Sequence, residues 1–214
     1  MASKNSRCKV LPRASYKRPT LRVAKALLGK YLVRRIRSKI LAARIIEVEA
    51  YVGLEDRASH ASRGMTRRNQ VMFGAPGMAY VYLIYGMHHC VNVVTERIGY
   101  PAAILIRAVE LESKFIDGPG RVCRFFQIDR HLNGVDLTAR EHMWIEDRGE
   151  HVRAGQIIAL PRIGVHYAGE EWAEKPWRFR VKGRRPVQTT RYTPGTLQDF
   201  GVVPEDETGS PPQG

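Results

Sequence analysis

The strongest constraint on the fold is that strand patterns follow one another without helices between them. YLVRRI (31–36) and ILAARIIEVEAYV (40–52) have the β-branched, alternating content of strands. AYVYLIY and HCVNVV read as two strands separated by Gly86, a hairpin or tight bend. AAILIRAVEL (102–111) is apolar enough to be buried on both faces except at Arg107, and MWIED, IIALPRIGV and WRFRV complete the set. Two helices are expected. One is TLRVAKALLG, capped by Thr20 and ended by Gly29; the other is RVCRFFQI, after Gly118-Pro119-Gly120. Runs of strands without strict βαβ alternation indicate an α+β domain with a mainly antiparallel sheet.

The chain has 214 residues and a formal net charge of +14. Residues 1–18 carry six basic groups and no acid, and residues 199–214 carry four acids and no base. Between 19 and 198 there remain 29 basic against 17 acidic residues, so a charged tail does not account for the surplus. A basic folded body attracts polyanions, of which nucleic acid is the commonest in a cytoplasm, although basic surfaces also serve solubility. The expected organisation is a basic flexible arm (1–18), one domain (19–200) and a disordered tail (201–214), with no linker or repeat inside the domain. No run of 18 apolar residues predicts a membrane-crossing helix. Three scattered cysteines without a C-x-x-C pair disfavour a disulfide framework or a zinc site and fit a reducing compartment.

In RIIEVEAYVGLEDRASH (44–60), strand alternation puts Ile45, Glu47, Glu49 and Tyr51 on one face and Ile46, Val48 and Ala50 on the other. Two carboxylates and a phenol among apolar residues suit a general base that activates water. They also suit a solvated strand edge with salt-bridged glutamates. The segment 53–72, with four arginines and several turn residues, reads as a long loop, which in a compact domain is usually functional.

GMAYVYLIYGMHHCVNVV (77–94) places Tyr80, Tyr82 and Tyr85 within six residues. A tyrosine at a hairpin tip can wedge into a base stack and one within the strand can line a pocket; three tyrosines can equally pack a core edge. Arg107 in its apolar strand needs a partner, such as Glu49 or a bound water, unless it snorkels to the surface. His88, His89 and Cys90 are neighbours on a strand and cannot all converge on one metal ion.

Taken together, RIIEVEAYVGLEDRASH, TRRNQVMF (66–73), PGMAYVYLIYGMHHCVNVV (76–94), ILIRAVE (104–110), GPGRVCRFFQI (118–128) and RIGVHYAGEEWAEKPWRF (162–179) resemble, in order, the alkyladenine (3-methyladenine) DNA glycosylase family. They cover most of residues 21–187. The resemblance implies a single domain with a mixed, mainly antiparallel curved sheet, flanking helices and a protruding β-hairpin. It implies a monofunctional N-glycosylase that excises alkylated or deaminated purines from duplex DNA by base flipping. The partner is then damaged double-stranded DNA. The enzyme acts as a monomer without metal or cofactor, in the cytoplasm, at the nucleoid of a bacterium or in the nucleus of a eukaryote. By the same resemblance Glu49 is the general base and Arg107 helps hold the attacking water. Tyr51, His60 and Tyr82 sandwich the extruded base, Asn92 crowds the 2-amino group of guanine, and Tyr85 intercalates into the duplex. Two departures stand out: His88-His89, where animal members carry aromatics, and the added residue in Glu170-Glu171.

Overall fold

The computed structural model describes residues 8–112 and 114–183. The expected tail and the N-terminal seven residues lie outside them. Among the described residues the strands are β1 (Lys9–Val10), β2 (Tyr31–Ile36), β3 (Lys39–Val52), β4 (Ala79–Ile84), β5 (His88–Val94), β6 (Ala102–Leu111), β7 (Lys114–Asp117), β8 (Met143–Asp147), β9 (Ile157–Leu160) and β10 (Arg178–Val181). Short helices flank them: α1 (Arg13–Tyr16), α2 (Thr20–Leu27), α3 (Pro119–Phe125) and α4 (Glu170–Glu174). All strands join one curved α+β sheet in the order β1-β8-β2-β3-β6-β5-β4, with β10 on β3, β9 on β10 and β7 on β6. Every pairing is antiparallel.

The long strand β3 organises the molecule. One of its edges is covered by β6 from Arg44 to Val52. Its first half pairs with β2 (Lys39–Arg44), and β10 takes over beside Glu47, Val48 and Glu49. The register with β6 is irregular on both sides of Glu47. Strict alternation is interrupted there: Ile45, expected on the face of the glutamates, joins Ile46, Val48 and Ala50 in the main apolar core. Burial of such side chains stabilises by about 1.5–3 kcal/mol each. Val23, Ala24 and Leu27 of α2 add to this core, as do Val122 and Cys123 of α3, each at helical spacing.

Two local expectations change. Thr20 is the first helical residue of α2 and not its cap. Its backbone N–H and hydroxyl both donate to Glu96 Oε1, at 2.6 and 2.9 Å, so a carboxylate from 76 residues away satisfies the helix start. Residues 8–18 are docked rather than a free arm. Lys9–Val10 pairs with β8, Arg13 donates to the Pro76 carbonyl at 2.7 Å and pairs with Asp136, and Tyr16 is fully buried. The Tyr16 ring lies where a Cβ on Gly77 would sit, 2.8 Å away, and Gly77 has φ +89°. Glycine is therefore required at that contact. The expected loop 53–72 contains a short 3₁₀ turn, His60–Arg63, and runs into a second, Gln70–Phe73.

Candidate active site

Sheet register brings Glu49 and Asn92 to one level. Arg178 pairs with Glu49, Glu49 with Leu105, Leu105 with Asn92 and Asn92 with Tyr80, a row across five strands. Above it lies a cavity of about 150 Å³, and Glu49, Tyr51, His60, Tyr82, Tyr85, Asn92 and Arg107 all line it.

Glu49 is wholly buried. Its Oε1 accepts the Ile163 backbone N–H at 2.8 Å, and its Oε2 accepts the Tyr51 hydroxyl at 2.9 Å. These two bonds set the carboxyl orientation and leave lone pairs for a further donor. Burial, followed by the neighbouring Glu49, holds the Tyr51 phenol well above its ordinary range, so it remains a donor. Arg107 Nη1 is 3.4 Å from Glu49 Oε1, and its Nε is 3.6 Å from Glu47 Oε1. That Nε is buried without a hydrogen-bond partner among the described residues. Neither the solvated edge nor the snorkelling arginine describes this arrangement. Glu47 is occupied by Arg178 at 3.0 Å as well as by Arg107.

The aromatic wall comes from β4 and the turn after β3. The rings of His60 and Tyr82 meet edge-on at 4.5 Å, and those of Tyr80 and Tyr82 are 5.2 Å apart. His60 Nδ1 and the Tyr80 hydroxyl are within 3.0 Å. Partial burial, then the charge of Arg68, pushes the His60 pKa below its ordinary 6.5, favouring neutral imidazole with one donor and one acceptor. Burial likewise lifts Tyr80 to about 12 and raises Tyr82 and the Cys90 thiol. Asn92 is buried, and its amide donates to the Tyr80 carbonyl at 3.1 Å. At the mouth Tyr85 is 83% exposed. It has φ +52° and Gly86 φ +66°, the left-handed pair of the mirror-image hairpin turns.

Several wall residues had no local signature. Ile163 offers only its N–H. Tyr167 lines the cavity and donates its hydroxyl to the Ala58 carbonyl at 3.0 Å. Behind the wall, Arg162 and Asp56 form a fully buried ion pair. Strand parity could point to Glu49, but nothing near Arg162 in the chain names Asp56 as its partner. A second recess of about 700 Å³ shares Ser59, His60 and Tyr167 with the cavity. Arg57, Arg63 and Arg68 line it, with no carboxylate among its lining residues. Among the described residues no group of three His, Cys, Asp or Glu side chains is placed to hold a metal ion, and no helix is long and apolar enough to cross a membrane.

A family model described as methylpurine-DNA glycosylase matches residues 14–185. The chain belongs to the methylpurine-DNA glycosylase family. Members are N-glycosyl hydrolases that act on DNA, and this chain is such an enzyme of DNA repair. A protein of Methanocella arvoryzae, provisionally named 3-methyladenine DNA glycosylase, is 53% identical over 204 residues, covering 88% of this chain and 99% of its own. One of Alkaliphilus oremlandii with the same name is 46% identical, covering 80% and 95%. One of Legionella pneumophila (strain Lens), again of that name, is 48% identical, covering 84% and 98%.

Proposed function

We propose that this glycosylase flips alkylated or deaminated purines, 3-methyladenine, hypoxanthine and ethenoadenine among them, out of duplex DNA and hydrolyses their N-glycosidic bond. The observation that carries the reading is one fully buried carboxyl, oriented by two hydrogen bonds, at the wall of an aromatic cavity. A base inside a duplex is out of reach, so it must leave the stack at a cost of a few kcal/mol, which is least for damaged or mismatched bases.

In this reading Glu49 takes a proton from a water that attacks C1′ of the deoxyribose. The C1′–N bond breaks and its electron pair leaves with the base. Arg107, whose Nη1 lies 3.4 Å from Glu49 Oε1, helps hold the water. A cationic base such as 3-methyladenine departs neutral and needs no acid. Glu47, committed to two arginines, has no part in the step. Tyr51, Tyr82 and His60 sandwich the base, and stacking of this kind contributes about 1–3 kcal/mol per base. Asn92, fixed by the Tyr80 carbonyl, crowds the 2-amino group of guanine. Tyr85, exposed at the tip, fills the gap in the duplex.

The acid-free recess beside the cavity supports phosphate binding next to the flipped nucleotide. The enzyme acts as a monomer, without cofactor, wherever the cell keeps its DNA.

The test is release of base from duplexes bearing each lesion, with undamaged duplex beside them. Release from at least one lesion, lost in Glu49→Gln while DNA binding is kept, is the expected result. Full activity of Glu49→Gln removes the proposed base.

A further inference from the structure

Arg162 and Asp56 both have no exposed side-chain surface, yet neither lines the cavity. Nη1 donates to Asp56 Oδ2 at 2.6 Å and Nη2 to Oδ1 at 2.8 Å, a two-pronged pair. The guanidinium also donates to the Ala50 carbonyl at 2.9 Å and the Trp172 carbonyl at 3.2 Å. Asp56 in turn accepts the Val52 and Ala58 N–H groups, each at 3.1 Å. The pair thus ties together the end of β3, the turn after it, the loop after β9 and α4.

A buried ion pair is weak evidence for stability as such, because apolar residues of similar volume often do as well. What distinguishes this pair is its position. The two groups that orient Glu49 both adjoin Arg162. Ile163, whose N–H bonds Oε1, is the next residue in the chain. Tyr51, whose hydroxyl bonds Oε2, has its ring 4.9 Å from the guanidinium carbon. Trp177 lies near the same guanidinium, 5.1 Å away.

We infer that Arg162 and Asp56 are positioning residues for the reaction: they hold the Ile163 N–H and the Tyr51 hydroxyl where they aim Glu49 at the attacking water. This rests on Glu49 as the general base. A misplacement of about 1 Å at a reacting group can cost about 10²-fold in rate. Lysine at 162 keeps the charge and loses the fork that reaches Asp56, Ala50 and Trp172 together.

The experiment compares wild type, Arg162→Lys, Asp56→Asn, Glu49→Gln and Arg162→Lys/Glu49→Gln. It measures single-turnover excision per folded molecule, lesion-DNA affinity and melting temperature. Arg162→Lys and Asp56→Asn are expected to slow excision by about 10²-fold with a much smaller loss of lesion affinity, since Tyr51 also stands in the base sandwich. Arg162→Lys should slow Glu49→Gln no further, because the two act through one group. Folded variants with wild-type excision rates overturn the positioning role, as does a loss shared equally by affinity and rate. If one substitution abolishes folding, the other carries the comparison. If Glu49→Gln keeps its rate, the base assignment itself fails. If Glu49→Gln is inactive while Arg162→Lys is not impaired, only the positioning role falls.

Discussion

Two ends of one cavity differ in how tightly the protein holds them. Glu49 is wholly buried, and each of its oxygens accepts a hydrogen bond from a group that is itself anchored. Tyr85, 83% exposed, stands on a two-residue left-handed turn with exposed Leu83 and Met87 beside it. The floor is tied to distant parts of the chain, whereas the tip projects on its turn, with Arg68 donating to the Leu83 carbonyl at 3.0 Å beside it. The difference suits their proposed tasks. A general base must meet one geometry, whereas a wedge must enter a duplex and withdraw.

Substitutions can separate the two ends. The largest effect is expected at the floor: Glu49→Gln should lower single-turnover excision by about 10²–10⁴-fold, the usual worth of a general base, while a gel-shift assay still finds lesion binding. Tyr82→Ala comes next. Losing one stacking face should weaken lesion binding by about 1–3 kcal/mol in a fluorescence titration, and unchanged affinity removes Tyr82 from the base sandwich.

Tyr85→Ala should weaken lesion-DNA binding and leave thermal stability within about 0.5 kcal/mol, as expected of an exposed residue. A large stability loss would make the tip structural. Arg63→Ser and Arg68→Ser test the recess beside the cavity. Each should flatten the dependence of log affinity on log salt by about 0.9 if it removes a phosphate contact.

The smallest effect concerns pH. The folded-state pKa of His60 is lowered from 6.5 by partial burial and then by Arg68. Its neutral form therefore favours the folded state above 6.5, and that contribution is lost as pH falls through the lowered value. His60→Gln should lose less melting temperature than wild type between about pH 7.5 and about pH 5. An equal loss in both proteins assigns the acid sensitivity to other groups.

Much of the floor was legible along the chain. Alternation in β3 placed Glu47, Glu49 and Tyr51 on one face, and the apolar run around Arg107 required a charged partner. The irregular register at Glu47, which turns Ile45 into the core, leaves no mark along the chain because β6 imposes it. The docking of residues 8–18 is equally hidden, since their polar composition masks Tyr16 and the fit of its ring over Gly77.

The sequence by itself determined the strands other than β1 and β7, the hairpin with its tyrosine tip and the carboxylate face of β3. These follow from side-chain parity and turn chemistry, which depend on residues close together in the chain. Only the tertiary structure decided that Glu96 caps α2, that Ile163 donates to Glu49 and that Arg162 meets Asp56. Those partners lie 76, 114 and 106 residues apart. Such pairings depend on which strands become neighbours and in what register, and the long strand β3 sets both by pairing with β2, β10 and β6.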